Sequence, residues 1–130
     1  MTIKINRGRE AGLKSEQRSE TFTGLVWADP VLEGATNAMA TNVFFAPKSR
    51  TYWHRHTMGQ ILYVTSGQGR VCSRGGASAT IGVGDTVYIP PDEEHWHGAD
   101  SESYLVHLAI SLGKSEWLDE VTDEEYAGTS

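Results

Sequence analysis

The sequence has a single cysteine, Cys72, among its 130 residues. One cysteine excludes an internal disulfide framework, so we expect an apolar core to hold the fold. No apolar run approaches the length of about 20 residues that a membrane-spanning helix needs. The first residues, MTIKIN, also lack the apolar stretch of a signal peptide. These absences predict a soluble cytoplasmic protein with no membrane partner.

Basic residues are scarce. There are 11 Lys and Arg against 17 Asp and Glu, which gives a net charge of −6. Nucleic acids and anionic membrane surfaces need a basic face, so neither is expected as a partner. A small-molecule substrate, neutral or cationic, fits this charge better.

The length predicts one domain over residues 1–130, with a polar lead-in at about 1–20 and a barrel core at about 38–111. Segments of strand composition recur every eight to twelve residues or so, which is typical of an all-β sandwich or barrel. Residues 28–37 carry proline, glycine and asparagine and are predicted to be a loop. The predicted strands are 21–27, 38–46, 51–56, 60–66, 69–73, 78–81, 86–89, 95–99 and 104–110.

The C-terminal tail has a different pattern. Thr122 followed by Glu125 is a capping box, which predicts the start of a short helix. Trp117, Leu118 and Val121 are expected to dock this helix on the barrel.

The predicted strand at 104–110 is apolar at both its odd and its even positions, apart from His107. A strand that is apolar on both faces must be covered on both sides. We therefore expect a homo-oligomer, a dimer or a tetramer, in which a second subunit covers the outer face.

Four of the five histidines form two His-x-His pairs, His54 with His56 and His95 with His97. The fifth, His107, lies within the predicted strand at 104–110. Residues two apart on a strand point to the same face, so the imidazoles of each pair converge. An isolated histidine is as often a hydrogen-bonded core residue, but two such pairs predict one metal centre.

Gln60 lies at an even offset from the first pair and can join it after a short break at residues 57–59. Three imidazole nitrogens and one amide oxygen would leave about two octahedral positions open for substrate or water. The predicted ligands are His54, His56, Gln60 and His95. Mn²⁺ is the expected ion, and Fe²⁺, Zn²⁺ and Ni²⁺ are the alternatives.

His97 and His107 are the candidate catalytic residues. By strand parity His97 faces the same cavity as His95, so it is either a further ligand or, as we favour, a base beside the metal. His107 is either a packed core histidine or the base. Burial would lower its pKa and keep it neutral near pH 7, ready to accept a proton.

Strand parity also predicts an apolar pocket beside the histidines, although the same residues could simply form the core. The candidate pocket residues are Thr41, Val43, Phe45, Met58 and Leu62. Trp53 and Trp96 neighbour histidines but point to the opposite face, where we expect them to pack.

The first histidine segment resembles the first cupin motif: Gly, five residues, His-x-His, three or four residues, Glu, six residues, Gly. His54, His56 and Gly67 match it. Lys48 replaces the first glycine, and Gln60 stands where the pattern has glutamate.

The second segment resembles the second cupin motif: Gly, five residues, Pro-x-Gly, two residues, His, three residues, Asn. Gly84, Pro90 and His95 match it, whereas Asp92 and Ala99 depart from it. The resemblance implies a jelly-roll β-barrel, usually oligomeric, with the metal held at these motifs.

Within the cupins, the chain is similar to small bacterial proteins described as manganese-dependent hydroxynitrile lyases, which cleave or form cyanohydrins such as mandelonitrile. The similarity is carried by HRHTMGQILYVTSGQG, GDTVYIPPDEEHWHGA, the later His107 and a closing VTDEEY. It implies that the four predicted ligands hold the metal and that His97 and His107 stand beside the substrate. Two other functions remain open, an Fe²⁺ dioxygenase and a non-catalytic small-molecule-binding cupin.

Overall fold

The computed structural model describes residues 3–7 and 14–128. These residues form twelve strands and one short helix. The elements are β1 (Glu16–Arg18), β2 (Phe22–Thr23), β3 (Val26–Ala35), β4 (Ala38–Phe45), β5 (Arg50–Thr51), β6 (His54–His56), β7 (Gln60–Ser73), β8 (Ser78–Gly82), β9 (Thr86–Ile89), β10 (His95–Ala99), β11 (Leu105–Leu112), β12 (Ser115–Trp117) and α1 (Asp123–Ala127). Among the residues described, no helix is long and apolar enough to cross a membrane.

The longest strand, β7, joins the two sheets. Its first half pairs with β9 and β11, and its second half pairs with β8 and β10. The first sheet runs β1, β3, β4, β11, β7 and β9, and the second contains β8, β7, β10, β5, β6, β2 and β12. Because one strand belongs to both sheets, they curl into a β-barrel, and the predicted all-β fold is confirmed.

The prediction of two separate strands at 60–66 and 69–73 is wrong, because β7 runs through Gly67 without a break. Gly67 has φ = 77°, and a side chain there would collide with the carbonyl of Tyr104. The partner strand shifts register between Val106 and His107, which marks a β-bulge. Glycine therefore bends the strand from one sheet into the other instead of ending it.

The N-terminal third also differs from the prediction. Residues 28–37 were expected to be a loop, but β3 extends to Ala35 and forms a hairpin with β4. Their pairing shifts register after Pro30, so the strand accommodates the proline at an irregularity. The predicted strand 21–27 is instead divided at Gly24, which has φ = 90°. The lead-in contains β1, paired with β3.

Strand register fixes which side chains enter the barrel from the first sheet. Val43 lies opposite His107, which lies opposite Val64 on the other side. One step along, Ala109 lies between Thr41 and Leu62 in the same way. The interior is apolar around these rows. Its buried members are Val26, Val43, Phe45, Leu62, Val64, Ile81, Ile89, Ala99, Leu105 and Ala109.

The C-terminal segment covers the outer face of the second sheet. The Thr122 hydroxyl accepts a hydrogen bond from the Glu125 amide, and the Glu125 carboxylate accepts one from the Thr122 amide, so the predicted capping box is present. Tyr126 is buried, and its hydroxyl donates to the Ala99 carbonyl at 2.7 Å. Its ring lies between the guanidinium groups of Arg50 and Arg70, 4.8 and 4.6 Å from its centre.

Trp53 and Trp96 pack beneath this segment with Cys72, Val121 and Tyr126, as their parity predicted. Leu118 borders the same cluster. Trp117 does not join it. The sequence pattern placed it under the helix, but it lies in β12, directly opposite His54 on β6.

Candidate metal centre

The two His-x-His pairs lie on neighbouring strands of the second sheet. β6 and β10 pair antiparallel with His54 opposite His95, so all four imidazoles occupy one patch of the barrel wall. Gln60 begins β7 beside them, and His107 reaches the same region from β11 in the facing sheet. None of these six side chains belongs to a residue more than 3% exposed.

The imidazole rings are close together. Ring centres are 4.2 Å apart for His54 and His95, 5.0 Å for His54 and His56, and 5.2 Å for His54 and His97. One nitrogen from each of His54, His95 and His97 lies within 4.8 Å of the other two, close enough to share one ion. His56 lies beside this group, with its ring centre 5.8 Å from that of His95.

Backbone carbonyls fix the tautomers of two of these rings. His54 Nδ1 lies 2.8 Å from the Tyr52 carbonyl oxygen, and His95 Nδ1 lies 2.9 Å from that of Glu93. A carbonyl only accepts, so each Nδ1 carries the proton. In the neutral rings each Nε2 then offers a lone pair, which is the form that binds a metal.

Gln60 places a second acceptor against one of these lone pairs. Its amide nitrogen donates to Ser111 Oγ at 3.0 Å, while its Oε1 lies 2.9 Å from His95 Nε2. Two buried acceptors face each other with no proton between them. A cation would resolve this contact, since two donors at right angles on an ion at about 2.1 Å are ~3 Å apart.

Three further ring nitrogens are buried without a partner: His56 Nε2, His97 Nε2 and His107 Nδ1. His56 Nδ1 lies 2.9 Å from Ser115 Oγ. His97 Nδ1 and His107 Nε2 lie 2.9 Å apart and share one proton. An unsatisfied buried polar atom costs about 1–3 kcal/mol, so these residues fit a divalent cation that would satisfy several at once.

Burial lowers the pKa of all five imidazoles. The pKa falls to about 4 for His56 and His107 and falls well below the usual range for His54 and His97, whereas for His95 it is simply lowered. Repulsion from neighbouring imidazoles adds to the effect of burial at His54, His56 and His97. The group is therefore neutral at pH 7, able to bind a metal or accept a proton.

Four of the five candidate pocket residues lie together around His107. Val43, Phe45 and Leu62 are buried inside the barrel, and Thr41 is half-buried on the same face. The Phe45 ring centre is 5.2 Å from that of His107 and 6.0 Å from that of His97. Met58 lies in the turn after β6 and is 52% exposed, so it is not enclosed with the others.

Sequence reasoning missed Ser111, Ser115 and Trp117. Ser111 and Ser115 contact Gln60 and His56, and the Trp117 ring stacks on His54 with 4.6 Å between ring centres. Ser111 continues the inward parity of His107 and Ala109, which was the available indication. Ser115 and Trp117 lie in β12, for which no strand was predicted.

Comparison with known proteins supports this picture. Residues 42–111 match the Cupin_2 family, a cupin domain. A protein from Granulicella tundricola named (R)-mandelonitrile lyase is 42% identical over 114 residues, covering 83% of this chain and 87% of the relative.

Solved structures agree in fold. A cupin-like protein from Thermotoga maritima has a TM-score of 0.86 at 39% identity, covering 94% of this chain and 98% of its own. The polyketide cyclase RemF from Streptomyces resistomycificus has a TM-score of 0.73 at 18% identity, covering 95% of this chain and 91% of its own. The second likeness concerns the fold alone.

The buried imidazoles make the metal-free protein sensitive to acid. Their folded pKa lies below the unfolded value of about 6.5, so the unfolded chain binds more protons and stability is lost as pH falls from there toward 4. For His107 alone this amounts to roughly 3 kcal/mol. We expect the melting temperature to fall between pH 7 and pH 4.5, and to fall less steeply in His107→Gln. Identical pH dependence in the two proteins would contradict this account.

Proposed function

The chain belongs to the cupin family, and from that premise we propose that it is a divalent-metal-dependent lyase that cleaves and forms cyanohydrins such as mandelonitrile. One observation carries the proposal: a buried, hydrogen-bonded His97–His107 pair beside a cation-fitting group of neutral donors. The 42% identity to an (R)-mandelonitrile lyase supports the same reaction.

The proposed ligands are His54, His56, Gln60 and His95, as the family pattern implies, with Mn²⁺ as the ion. A mixed set of imidazoles and one amide oxygen suits Mn²⁺ with positions left open. When bound, the ion supplies a Lewis acid that polarises the hydroxyl oxygen of a cyanohydrin. His97 stands within reach of this group, and we assign it to proton transfer and not to the ligand set.

The His97–His107 pair supplies both a base and an acid. A single proton lies between His97 Nδ1 and His107 Nε2, so of the outer nitrogens, His97 Nε2 and His107 Nδ1, one has a lone pair and the other carries a proton. The lone pair takes the hydroxyl proton of the cyanohydrin. The opposite N–H is available to protonate the departing cyanide.

The proposed reaction balances without an oxidant or a co-reactant. The hydroxyl proton moves to the basic nitrogen, the bond from carbon to the nitrile carbon breaks, and its electrons leave with cyanide as the carbonyl forms. The proton supplied to cyanide releases HCN. The pair ends neutral, and the reverse sequence makes the cyanohydrin.

An apolar wall beside the pair suits the organic part of such a substrate. Val43 lies opposite His107 across the strands, and Phe45 packs against both histidine rings. Thr41 and Leu62 flank Ala109, a small residue that leaves room above the wall. We propose that these residues hold the aryl group of an aromatic cyanohydrin.

The function is tested by loading the metal-free protein with Mn²⁺ and following benzaldehyde release from mandelonitrile. We expect activity that is equal under air and under nitrogen, because the reaction uses no O₂. His54→Ala should lose both bound metal and activity while the barrel stays folded. Arg55→Ala is the control, because Arg55 lies between the two ligands but bonds outward to Glu116. Activity that requires O₂, or none at all with metal bound, would contradict the proposal.

Proton transfer is tested by His97→Ala and His107→Ala. Each should lower turnover by about 10²-fold or more, because each removes half of the proton-carrying pair. Metal content should stay near that of the unmodified protein. Unchanged turnover in both variants would remove the pair from the mechanism.

We also propose that the protein is a homodimer that pairs through the outer face of the first sheet. The second sheet is covered by the C-terminal segment, but the first presents a continuous apolar face. Register aligns Trp27 with Phe44 and Val106, and Leu108 with Tyr63. A second copy offers the same surface, and two such faces are self-complementary.

The dimer is tested by Leu108→Arg, which places a charge at the centre of this face. We expect the molar mass from light scattering to halve. Thr80→Arg is the control, because Thr80 is exposed on β8 in the other sheet. A monomeric unmodified protein, or a dimer that survives Leu108→Arg, would contradict this interface.

A further inference from the structure

We propose that Ser111 is a positioning residue that sets which end of the Gln60 amide faces the metal centre, and that Ser115 holds His56 in the same way. Neither residue belongs to the family motifs. The inference rests on the proposed metal centre but not on the cyanohydrin reaction.

The contact to Ser111 decides the polarity that Gln60 presents to the interior. The two residues lie directly opposite each other on β7 and β11, and Gln60 Nε2 donates to Ser111 Oγ at 3.0 Å. An amide has an acceptor at one end and a donor at the other, and only the oxygen can face a cation. With the nitrogen held by Ser111, the oxygen is left facing His95 Nε2.

The four proposed ligands are held by two kinds of partner. His54 and His95 each bond to a backbone carbonyl two residues earlier, so their own loops orient them. Gln60 and His56 have no such carbonyl among their hydrogen bonds. Their outer partners are the hydroxyl groups of Ser111 and Ser115, both from the turn region between β11 and β12.

The same turn is fixed to the segment that precedes Gln60. The Leu112 amide donates to the Gly59 carbonyl at 3.0 Å, and the Lys114 amide donates to Thr57 Oγ1 at 2.8 Å. Gly113, at φ = 74°, packs so closely on Thr57 that a side chain there would collide with the threonine hydroxyl. The two serines are therefore carried on a rigid support.

Ser111 matters because position 60 carries an amide. A carboxylate has two equivalent oxygens, so it presents an acceptor to the ion in either orientation. An amide presents the wrong atom if it turns over. Ser111 should thus be coupled to Gln60 and should become nearly dispensable when position 60 is a glutamate.

The experiment is a double-mutant cycle read by Mn²⁺ affinity in competition with a chelator, with no activity measurement. We expect Ser111→Ala to weaken Mn²⁺ binding by about 10–100-fold in the otherwise unmodified protein. In the Gln60→Glu background the same change should cost no more than about threefold. Ser115→Ala should weaken binding in both backgrounds, because its target is His56.

Two controls separate positioning from packing. Ser111→Thr keeps the hydroxyl and should bind Mn²⁺ within about threefold of the unmodified protein. Ser66→Ala removes an outward hydroxyl on β7, bonded to Tyr104, and should have no effect. Equal losses for Ser111→Ala in both backgrounds would overturn the proposal, as would no loss in either or failure of Ser111→Thr to retain affinity. Loss of cyanohydrin cleavage with these affinities intact would instead count against the proposed function alone.

Discussion

Buried lone pairs that turn toward one another impose the main constraint on this barrel. Gln60 Oε1 and His95 Nε2 lie 2.9 Å apart with no proton to share, and His56 Nε2 and His97 Nε2 are buried without partners. Such an arrangement costs free energy in an apolar interior unless a cation occupies it. The outer nitrogens of the rings are accordingly fixed by carbonyl, hydroxyl or imidazole partners. The surrounding structure keeps the inner nitrogens unprotonated and aimed at one place.

The architecture supplies the rigidity that this arrangement needs. The bend of β7 at Gly67 carries one strand through both sheets, so residues from β6, β10 and β11 meet across a short distance. The C-terminal segment covers the second sheet, where Tyr126 lies between two arginines. Coverage there holds Trp96 firmly behind the histidines on either side of it. The ligand-bearing strand β10 is thereby buried on both faces.

Much of the candidate site was predictable because strand parity is a local property. Two His-x-His pairs fix their own faces, so the convergence of the imidazoles and the packing of Trp53 followed from spacing. Contacts that depend on register between distant strands did not follow. Ser111 meets Gln60 only because β11 pairs with β7 in one register, and Trp117 reaches His54 through a strand too short to recognise. The loop predicted at 28–37 failed for another reason, because an edge strand tolerates Pro30 at an irregularity that a central strand would not.

The neutrality of the donor set links the structure to the proposed chemistry. Burial keeps all five imidazoles uncharged at pH 7, and position 60 carries an amide where the family pattern has a carboxylate. No protein charge in the described ligand group therefore offsets the double charge of a bound ion, which favours the deprotonated form of an approaching hydroxyl. A neutral His97–His107 pair can take that proton without itself having been charged beforehand. Proton removal from a weak acid such as a cyanohydrin hydroxyl needs both conditions, and this interior provides them within a few ångströms of each other.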